Sequence, residues 1–445
     1  MDITEILKKY VPTREEKHKK ESVIKEVLSK VDTYIRENSV DAQPIIVGSF
    51  ARGTDLKNSD VDIFIQFEKS YSKEEMEKIG LNLGFHILSD GVAKYAEHPY
   101  VRGTWSGVHI DLVPCFRFER NSKIISSVDR TPLHTEFLNS VSTPEMKTQS
   151  ILLKLFMKKL GIYGSELKTE GFSGYVVELC IYYSGSVNNF LEKVANDRGQ
   201  FVVGPGNPKF SSPVVIVDPV DLSRNASASV SEKSLAILRM GSRMFLENPS
   251  VDFFDPDHIN RPNRVFQNRG TYLIVLLMPK PEIIEDILFP QIQLLRRNLI
   301  KFAVDEEFRL MNMFYAVEEE EIQILIELES GNLPGVRIRQ GPPADLPNSL
   351  TFFNKYLHDD HIARGPYVKD GRVYAEVYRD ITAFKTILQN NIGKINMGHH
   401  LNTLKSSITL EEDYEKIINM KVFRSFLEEI NPCYPPENIS RKTSS

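Results

Sequence analysis

Residues 45–67 read IIVGSFARGTDLKNSDVDIFIQF. An apolar run ends at Gly48-Ser49, a short polar link follows, and Asp60-Val61-Asp62 leads into a second apolar run. Residues two apart in a strand share a face, so Asp60 and Asp62 project together while Val61 and Ile63 point into a core. Carboxylates held side by side repel one another, and a divalent cation between them resolves the conflict. Glycine lets the backbone approach a ligand closely, and a turn with free N–H groups plus the Ser49 hydroxyl suits a phosphate. Arg52, one helical turn on, adds a positive charge for a triphosphate.

A further carboxylate stands at Asp111, in a strand-like stretch where Ile110 and Leu112 take the opposite face. An aspartate in an apolar strand is costly to bury without a partner. If this strand pairs beside Val61–Phe67, three carboxylates can hold two metal ions about 3.5–4 Å apart, the arrangement used for in-line phosphoryl chemistry. Taken singly, Gly48-Ser49 reads as a plain turn and the aspartate pair as a solvated strand end. Their order and spacing together carry the functional reading.

Outward from this core, Thr13 with Glu16 and Ser72 with Glu75 form capping-box patterns that open two helices. With strands at Pro44–Val47, Val61–Phe67 and Val108–Val113, residues 1–141 read as a mixed α/β catalytic domain. From Thr143-Pro144, an N-cap with proline at the first helical position, the periodicity turns helical. Residues 142–256 read as a helical central domain with a strand-like Val214–Val217. Asn248-Pro249 and Asp255-Pro256 mark its end. Beyond lie a buried strand at Tyr272–Met278 and a long helix at Ile283–Phe302. Residues 306–380 read as a strand-rich tail module, with strands paired around Glu318–Glu321 and a hairpin through Asp370-Gly371. Residues 257–305 with 381–445 form the expected body domain, so the fold class is a multidomain α+β chain.

The 445 residues are 41% hydrophobic and 26% charged, which fits globular domains and disfavours disorder. A net charge of −5 excludes a strongly basic nucleic-acid coater but leaves room for a local basic track. Three cysteines without paired spacing exclude a disulfide framework and a cysteine zinc site. No run approaches the roughly 20 apolar residues of a membrane span, so a soluble, cytoplasmic protein with no membrane partner is expected. His399-His400 lack a carboxylate or cysteine pattern around them and read as exposed histidines.

The order Gly-Ser, short helix, Asp-x-Asp on a strand and a distant Asp on another resembles the nucleotidyltransferase superfamily headed by DNA polymerase β. Further strings, KYAEHPYVRG (94–103), HIDLVPCF (109–116), SSVDRTPLH (126–134), LLKLFMKKLGIYGSE (152–166), GFSGYVVELC (171–180) and VDPVDLSRNASASVS (217–231), resemble the archaeal, class I CCA-adding tRNA nucleotidyltransferases. The likeness is strong from about residue 40 to 231 and weaker beyond.

That resemblance implies a polymerase β-like head, a helical middle domain completing the nucleotide pocket, and a C-terminal α/β body with the strand-rich tail module. It implies template-independent addition of C, C and A to the 3′ end of tRNA from CTP and ATP, with pyrophosphate released and two Mg²⁺ ions as cofactors. Asp60, Asp62 and Asp111 fall at the catalytic metal carboxylates. Ser49 and Arg52 match triphosphate positions, and His134, Lys154 and Tyr163 match further nucleotide-binding positions. Arg224 aligns with an arginine that reads the incoming base. His98 and Arg130 are candidates for the primer end. The acceptor stem and TΨC arm of tRNA are the expected footprint, and a homodimer the expected assembly.

For the basic track, Arg296, Arg297 and Lys301 on the long helix and Arg337 and Arg339 on a strand are candidates. Alone, Lys154 within ILLKLFMKK says only that a half-buried lysine needs an anion or must snorkel to water. Two departures stand out: Asp60 where some relatives carry glutamate, and Asp55 where an apolar residue is expected. A poly(A) polymerase or oligoadenylate synthetase-like enzyme shares the catalytic core, and the flanking strings speak against it. A catalytically silent RNA-binding protein would lack one of the three carboxylates.

Overall fold

The computed structural model describes residues 2–95, 98–117, 128–257 and 269–429. Cys433 and the polar tail Asn438–Ser445 lie outside the described residues. The chain divides into two compact units, Met1–Pro262 with Asn431–Ser445, and Asn263–Ile430.

The first unit begins with α1 (Thr4–Tyr10) and α2 (Arg14–Glu37). Both bonds of the Thr13–Glu16 capping box form: the Thr13 hydroxyl accepts from the Glu16 N–H at 3.2 Å and the Glu16 carboxylate from the Thr13 N–H at 2.7 Å. Next come β1 (Ala42–Val47), the short α3 (Gly48–Arg52), β2 (Val61–Phe67), α4 (Lys73–Ile87), β3 (Val92–Tyr95), β4 (Pro99–Trp105) and β5 (Val108–Phe116). The sheet order is β1-β2-β5-β4-β3. β5 lies parallel to β2, and the other pairs are antiparallel.

Alternation along these strands sorts the two faces. Val61, Ile63, Ile65, Val101, Ile110 and Leu112 pack with Val23, Ile24, Val27 and Val31 of α2 and Met76 and Leu83 of α4 in one core. Val47, Phe64, Val113 and Cys115 form a smaller cluster on the other face. The register aligns Val47, Asp62, Asp111 and Arg102 in one row across four strands.

The helical part follows as α5 (Thr131–Val141), α6 (Pro144–Lys159), α7 (Gly174–Ser184), α8 (Val187–Asn196) and α9 (Glu232–Glu247). The Thr143 hydroxyl caps α6 by accepting from the Met146 N–H at 3.2 Å. Phe156 packs against Phe245, Phe253 and Phe254 in this core. The single strand expected at Val214–Val217 is two pieces. β6 (Phe201–Val202) pairs with β7 (Val214–Val215), and β8 (Val217–Asp218) pairs with β9 (Asp221–Asn225). The break falls at Ile216, whose N–H donates to the Asn225 side chain at 3.0 Å instead of to a strand.

The second unit includes β10 (Tyr272–Pro279), α10 (Glu285–Asp305), β11 (Leu310–Val317), β12 (Glu321–Leu328), β13 (Val336–Pro343), α11 (Asn348–Leu357), β14 (Ile362–Lys369), β15 (Arg372–Tyr378), α12 (Phe384–Asn391) and β16 (Thr409–Glu411), with short helices at His399–Asn402, Tyr414–Ile417 and Lys421–Glu429. One sheet runs β11-β12-β10-β16 and a separate one β13-β15-β14. The stretch 306–380, expected as one strand-rich module, is therefore divided between two sheets. The physical reason is burial: Ile322, Ile324 and Ile326 stand opposite Met278, Leu276 and Ile274, and all six are in the core. The hairpin turn at Asp370-Gly371 has φ of +48° and +74°, the conformation that favours such a pair. Among the described residues, no helix is long and apolar enough to cross a membrane.

Candidate functional site

The start of β2, the link before it and the middle of β5 bring the acidic side chains together. Asp62 and Asp111 are direct neighbours across the parallel β2–β5 pair. Asp60 precedes β2 and is more open, with 37% of its side chain exposed against 6% for Asp111. Gly48 packs tightly beneath this group. Its φ is +74°, and a Cβ there would lie 2.0 Å from Asp62 Oδ2. The position therefore needs glycine both for conformation and for space.

Arg102 of β4 faces Asp111 across the antiparallel β4–β5 pair. Its Nε and Nη2 donate to Asp111 Oδ1 and Oδ2 at 2.7 and 2.6 Å, and Nη2 also lies 2.9 Å from Asp60 Oδ2. Burial, with the Asp111 and Asp60 charges behind it, pushes the Asp62 carboxyl up to about 7. Burial raises Asp111 too, against the pull of its Arg102 bonds. A single guanidinium thus serves two carboxylates, while Asp62 stands short of positive charge. An all-oxygen donor set with surplus negative charge suits a hard divalent cation. Among the described residues, no group of three or more His, Cys, Asp or Glu is already gathered around one metal position.

The other candidates form two polar clusters. In one, the buried Arg52 donates through Nε and Nη2 to both oxygens of Glu178 at 2.8 and 3.0 Å. Its Nη1 lies 3.4 Å from the Thr135 hydroxyl. The Thr54 hydroxyl also donates to Glu178, at 2.8 Å, and the Lys154 ammonium donates to the Thr54 carbonyl at 2.7 Å. Burial pushes Lys154 down to about 8, partly offset by Glu178. Tyr163 lies under this ammonium, 6.0 Å from ring centre to Lys154 Nζ and 5.3 Å to Lys158 Nζ. Its buried phenol is pushed up from its ordinary value. Ser49 sits in the first turn of α3, directly after Gly48.

In the second cluster, Asp218 is fully buried and accepts from the Tyr175 hydroxyl at 2.9 Å and from Arg224 Nη1 at 2.8 Å, with His134 Nε2 at 3.0 Å. The His134 and Tyr175 rings stack at 3.8 Å. Burial alone would raise Asp218, but His134, the Val220 N–H and Arg224 outweigh it and hold the carboxyl at about 2. Burial lowers His134, against the pull of its Asp218 partner. Arg130 pairs with Asp221 at 3.0 Å, at the end of the same β8–β9 hairpin.

His98 does not join these groups. Its buried ring turns to Glu77 of α4, with Nδ1 at 3.0 Å, and its Nε2 has no partner among the described residues. In the second unit Arg296 is partly committed to its own fold, donating to Gln293 and to the Met313 carbonyl at 3.0 Å each and covering Tyr315. Arg337 pairs with Glu307 at 3.3 Å. Arg297 and Lys301 are exposed, and Arg339 is half-buried.

Sequence reasoning missed Arg102, Glu178 and Asp218. Glu178 left the clearest signal: a lone carboxylate in the apolar run YVVELCI. The unexpected Asp55 is also accounted for. It is buried with Lys20 Nζ at 3.5 Å, and that ammonium also donates to the Ser59 carbonyl at 2.8 Å.

Three family descriptions match the chain in order: a nucleotidyltransferase domain over residues 12–134, the second domain of tRNA nucleotidyltransferase over 149–255, and the C-terminal domain of CCA-adding enzyme over 269–415. The chain is 37% identical over 431 residues to a CCA-adding enzyme of Thermoplasma volcanium, covering 96% of this chain and 97% of that one. It is 39% identical to the CCA-adding enzyme of Picrophilus torridus, with 92% and 95% covered. To that of Methanocaldococcus jannaschii it is 33% identical, with 91% and 94% covered.

Proposed function

The chain belongs to the archaeal CCA-adding enzyme family, and on that footing we propose that it adds C, C and A in turn to the 3′ end of tRNA, without a nucleic-acid template. CTP and ATP are the donors. The terminal 3′-hydroxyl loses its proton to solvent and its oxygen bonds to the α-phosphorus as the α–β phosphoanhydride breaks, so pyrophosphate leaves. The observation that carries this reading is the row Asp62–Asp111 beside Asp60, seated on the Gly48-Ser49 turn.

In this reading Asp60, Asp62 and Asp111 hold two Mg²⁺ ions, which when bound supply charge neutralisation at the attacking and leaving oxygens. The chain's own residues do the positioning. Ser49, with the N–H groups of its turn, receives phosphate oxygens. Arg52 commits Nε and one Nη2 hydrogen to Glu178 and Nη1 lies 3.4 Å from the Thr135 hydroxyl, so the second hydrogens of Nη1 and Nη2 are the donors it offers the triphosphate. Lys154 and Tyr163 form the wall beyond it, and His134 and Arg224, tied to Asp218, face the base. Residues 1–141 serve as catalytic head and 142–256 as the middle domain that completes the pocket. The β13-β15-β14 sheet and the exposed Arg297 meet the acceptor stem and TΨC arm. Assembly as a homodimer belongs to the same reading, tested by mass measurement in solution.

The deciding experiment supplies tRNA lacking its 3′ end with CTP and ATP. Growth by three nucleotides in the order C, C, A is expected, and growth beyond three or indifference to CTP overturns the proposal. Asp60→Ala and Asp111→Ala are each expected to abolish transfer while tRNA binding stays nearly intact. Unchanged turnover in either refutes the site.

A further inference from the structure

The Arg102 guanidinium bridges two of the three carboxylates that would hold metal. It makes two parallel hydrogen bonds to Asp111, and the same Nη2 reaches Asp60 at 2.9 Å. A planar fork bonded to both oxygens of one carboxylate and to an oxygen of a second occupies the donor edges that a divalent ion needs. We propose that Arg102 is a tethered counter-cation that competes with divalent metal for Asp60 and Asp111, so that the nucleotide-free enzyme binds metal weakly and takes it up tightly only with the triphosphate. This rests on the assignment of the carboxylates as metal ligands given above.

Three features of the site favour competition over a purely structural ion pair. The Arg102 side chain is 42% exposed, so the guanidinium can leave into solvent, whereas the buried guanidinium of Arg52 cannot. Asp60 lies in the link before β2 and Asp111 in β5, and in the described structure Arg102 is the cation that bridges them. Burial of the Asp111 carboxylate without a counter-charge is costly, so the metal-free fold gains from an arginine at this register position and a metal-loaded one does not. A nucleoside triphosphate brings phosphate oxygens that share the coordination of the incoming ion and offer the displaced guanidinium a new anion. The consequence is coupling: metal and nucleotide each strengthen the binding of the other, by the same factor.

The test reads metal binding directly. Mn²⁺ binding to the full chain without nucleotide is measured by electron paramagnetic resonance for the wild type, Arg102→Gln, Asp60→Asn and the double variant Arg102→Gln/Asp60→Asn. Arg102→Gln is expected to bind Mn²⁺ at least tenfold more tightly than the wild type, and the gain is expected to vanish in the double variant. With an unreactive CTP analogue present, wild type and Arg102→Gln are expected to converge. Equal affinity of wild type and Arg102→Gln, with Asp60→Asn weakening both, overturns the competition and leaves the carboxylate assignment standing. A gain that survives Asp60→Asn places the ion elsewhere and overturns both. Should Arg102→Gln unfold, Arg102→Lys, which keeps the charge and loses the fork, is expected to show a smaller gain; none at all overturns the proposal.

Discussion

Arg52 and Glu178, 126 residues apart in sequence, meet as a buried two-bond ion pair at 2.8 and 3.0 Å. Arg52 closes the short helix after the Gly48-Ser49 turn, and Glu178 sits in the middle of α7. The pair fastens the catalytic sheet to the helical part of the same unit. The Thr54 hydroxyl shares the Glu178 acceptor, and the Lys154 ammonium holds the Thr54 carbonyl.

Breaking one side of this pair leaves a buried guanidinium without a counter-charge. Glu178→Gln is expected to lose about 3 kcal/mol, since removing one partner of a buried pair is far more costly than replacing both. Thermal unfolding should show a drop of roughly 5–10 °C for a unit of this size. The double variant Arg52→Met/Glu178→Leu should recover most of that stability while failing to bind CTP. Recovery of binding as well would show that Arg52 has no part in holding the triphosphate.

The charge state of Asp62 sets the pH response of the metal-free protein. Its carboxyl is pushed up to about 7 in the fold, mainly by burial, from about 3.9 in an unfolded chain. A raised value means the folded state holds the proton more tightly. The contribution is full below about pH 4 and is lost as pH rises through about 7. Asp62→Asn mimics the protonated acid and escapes this loss. In EDTA, the stability advantage of Asp62→Asn over wild type should therefore widen between pH 5 and pH 8 by on the order of 2 kcal/mol in urea titrations. A constant difference across that range would place the unneutralised charge elsewhere.

Much of the fold could be read along the chain, because it is written locally. The Thr13, Ser72 and Thr143 caps, the helical stripes and the Asp370-Gly371 hairpin depend on residues within one or two turns of each other. The pairing of Asp62 with Asp111 was legible from alternation once the two strands were placed side by side. What local pattern does not carry is partner choice across the chain. Arg102 sits in PYVRGTW, and only the pairing of that strand with β5 sets it opposite Asp111. Glu178 looks like an isolated acid until Arg52 reaches it from 126 residues away, and Asp218 gains His134 from 84 residues away. The division of residues 306–380 between two sheets likewise follows from which isoleucines are buried, not from strand propensity.

Gly48 offers a test of geometry separate from charge. Alanine there meets a left-handed φ, costing about 1–2 kcal/mol, and also drives into Asp62 Oδ2. Gly53, at φ +69°, carries the same backbone constraint, but the nearest atom to an added Cβ is the end of Lys147 at 3.6 Å. Gly48→Ala and Gly53→Ala should lose comparable stability, while only Gly48→Ala displaces Asp62. Transfer is expected to fall by about a hundredfold or more in Gly48→Ala and to stay within a few-fold of wild type in Gly53→Ala. Equal rates in the two would detach the turn from the chemistry.

Asp218 holds three groups at once: Tyr175, His134 and Arg224. Asp218→Asn keeps the shape but removes the charge that orients Arg224 and His134. If those two side chains face the base, the loss falls on nucleotide recognition before it falls on the chemical step. Asp218→Asn is expected to raise KM for CTP and ATP about tenfold or more, with a smaller change in kcat, and to narrow the preference between the two at each position of the 3′ end. Stability should also fall by about 1–3 kcal/mol, because His134 and Arg224, which share Oδ2, lose their carboxylate partner. A lowered unfolding temperature with unchanged KM and unchanged discrimination would make the cluster a scaffold and move base reading to other side chains.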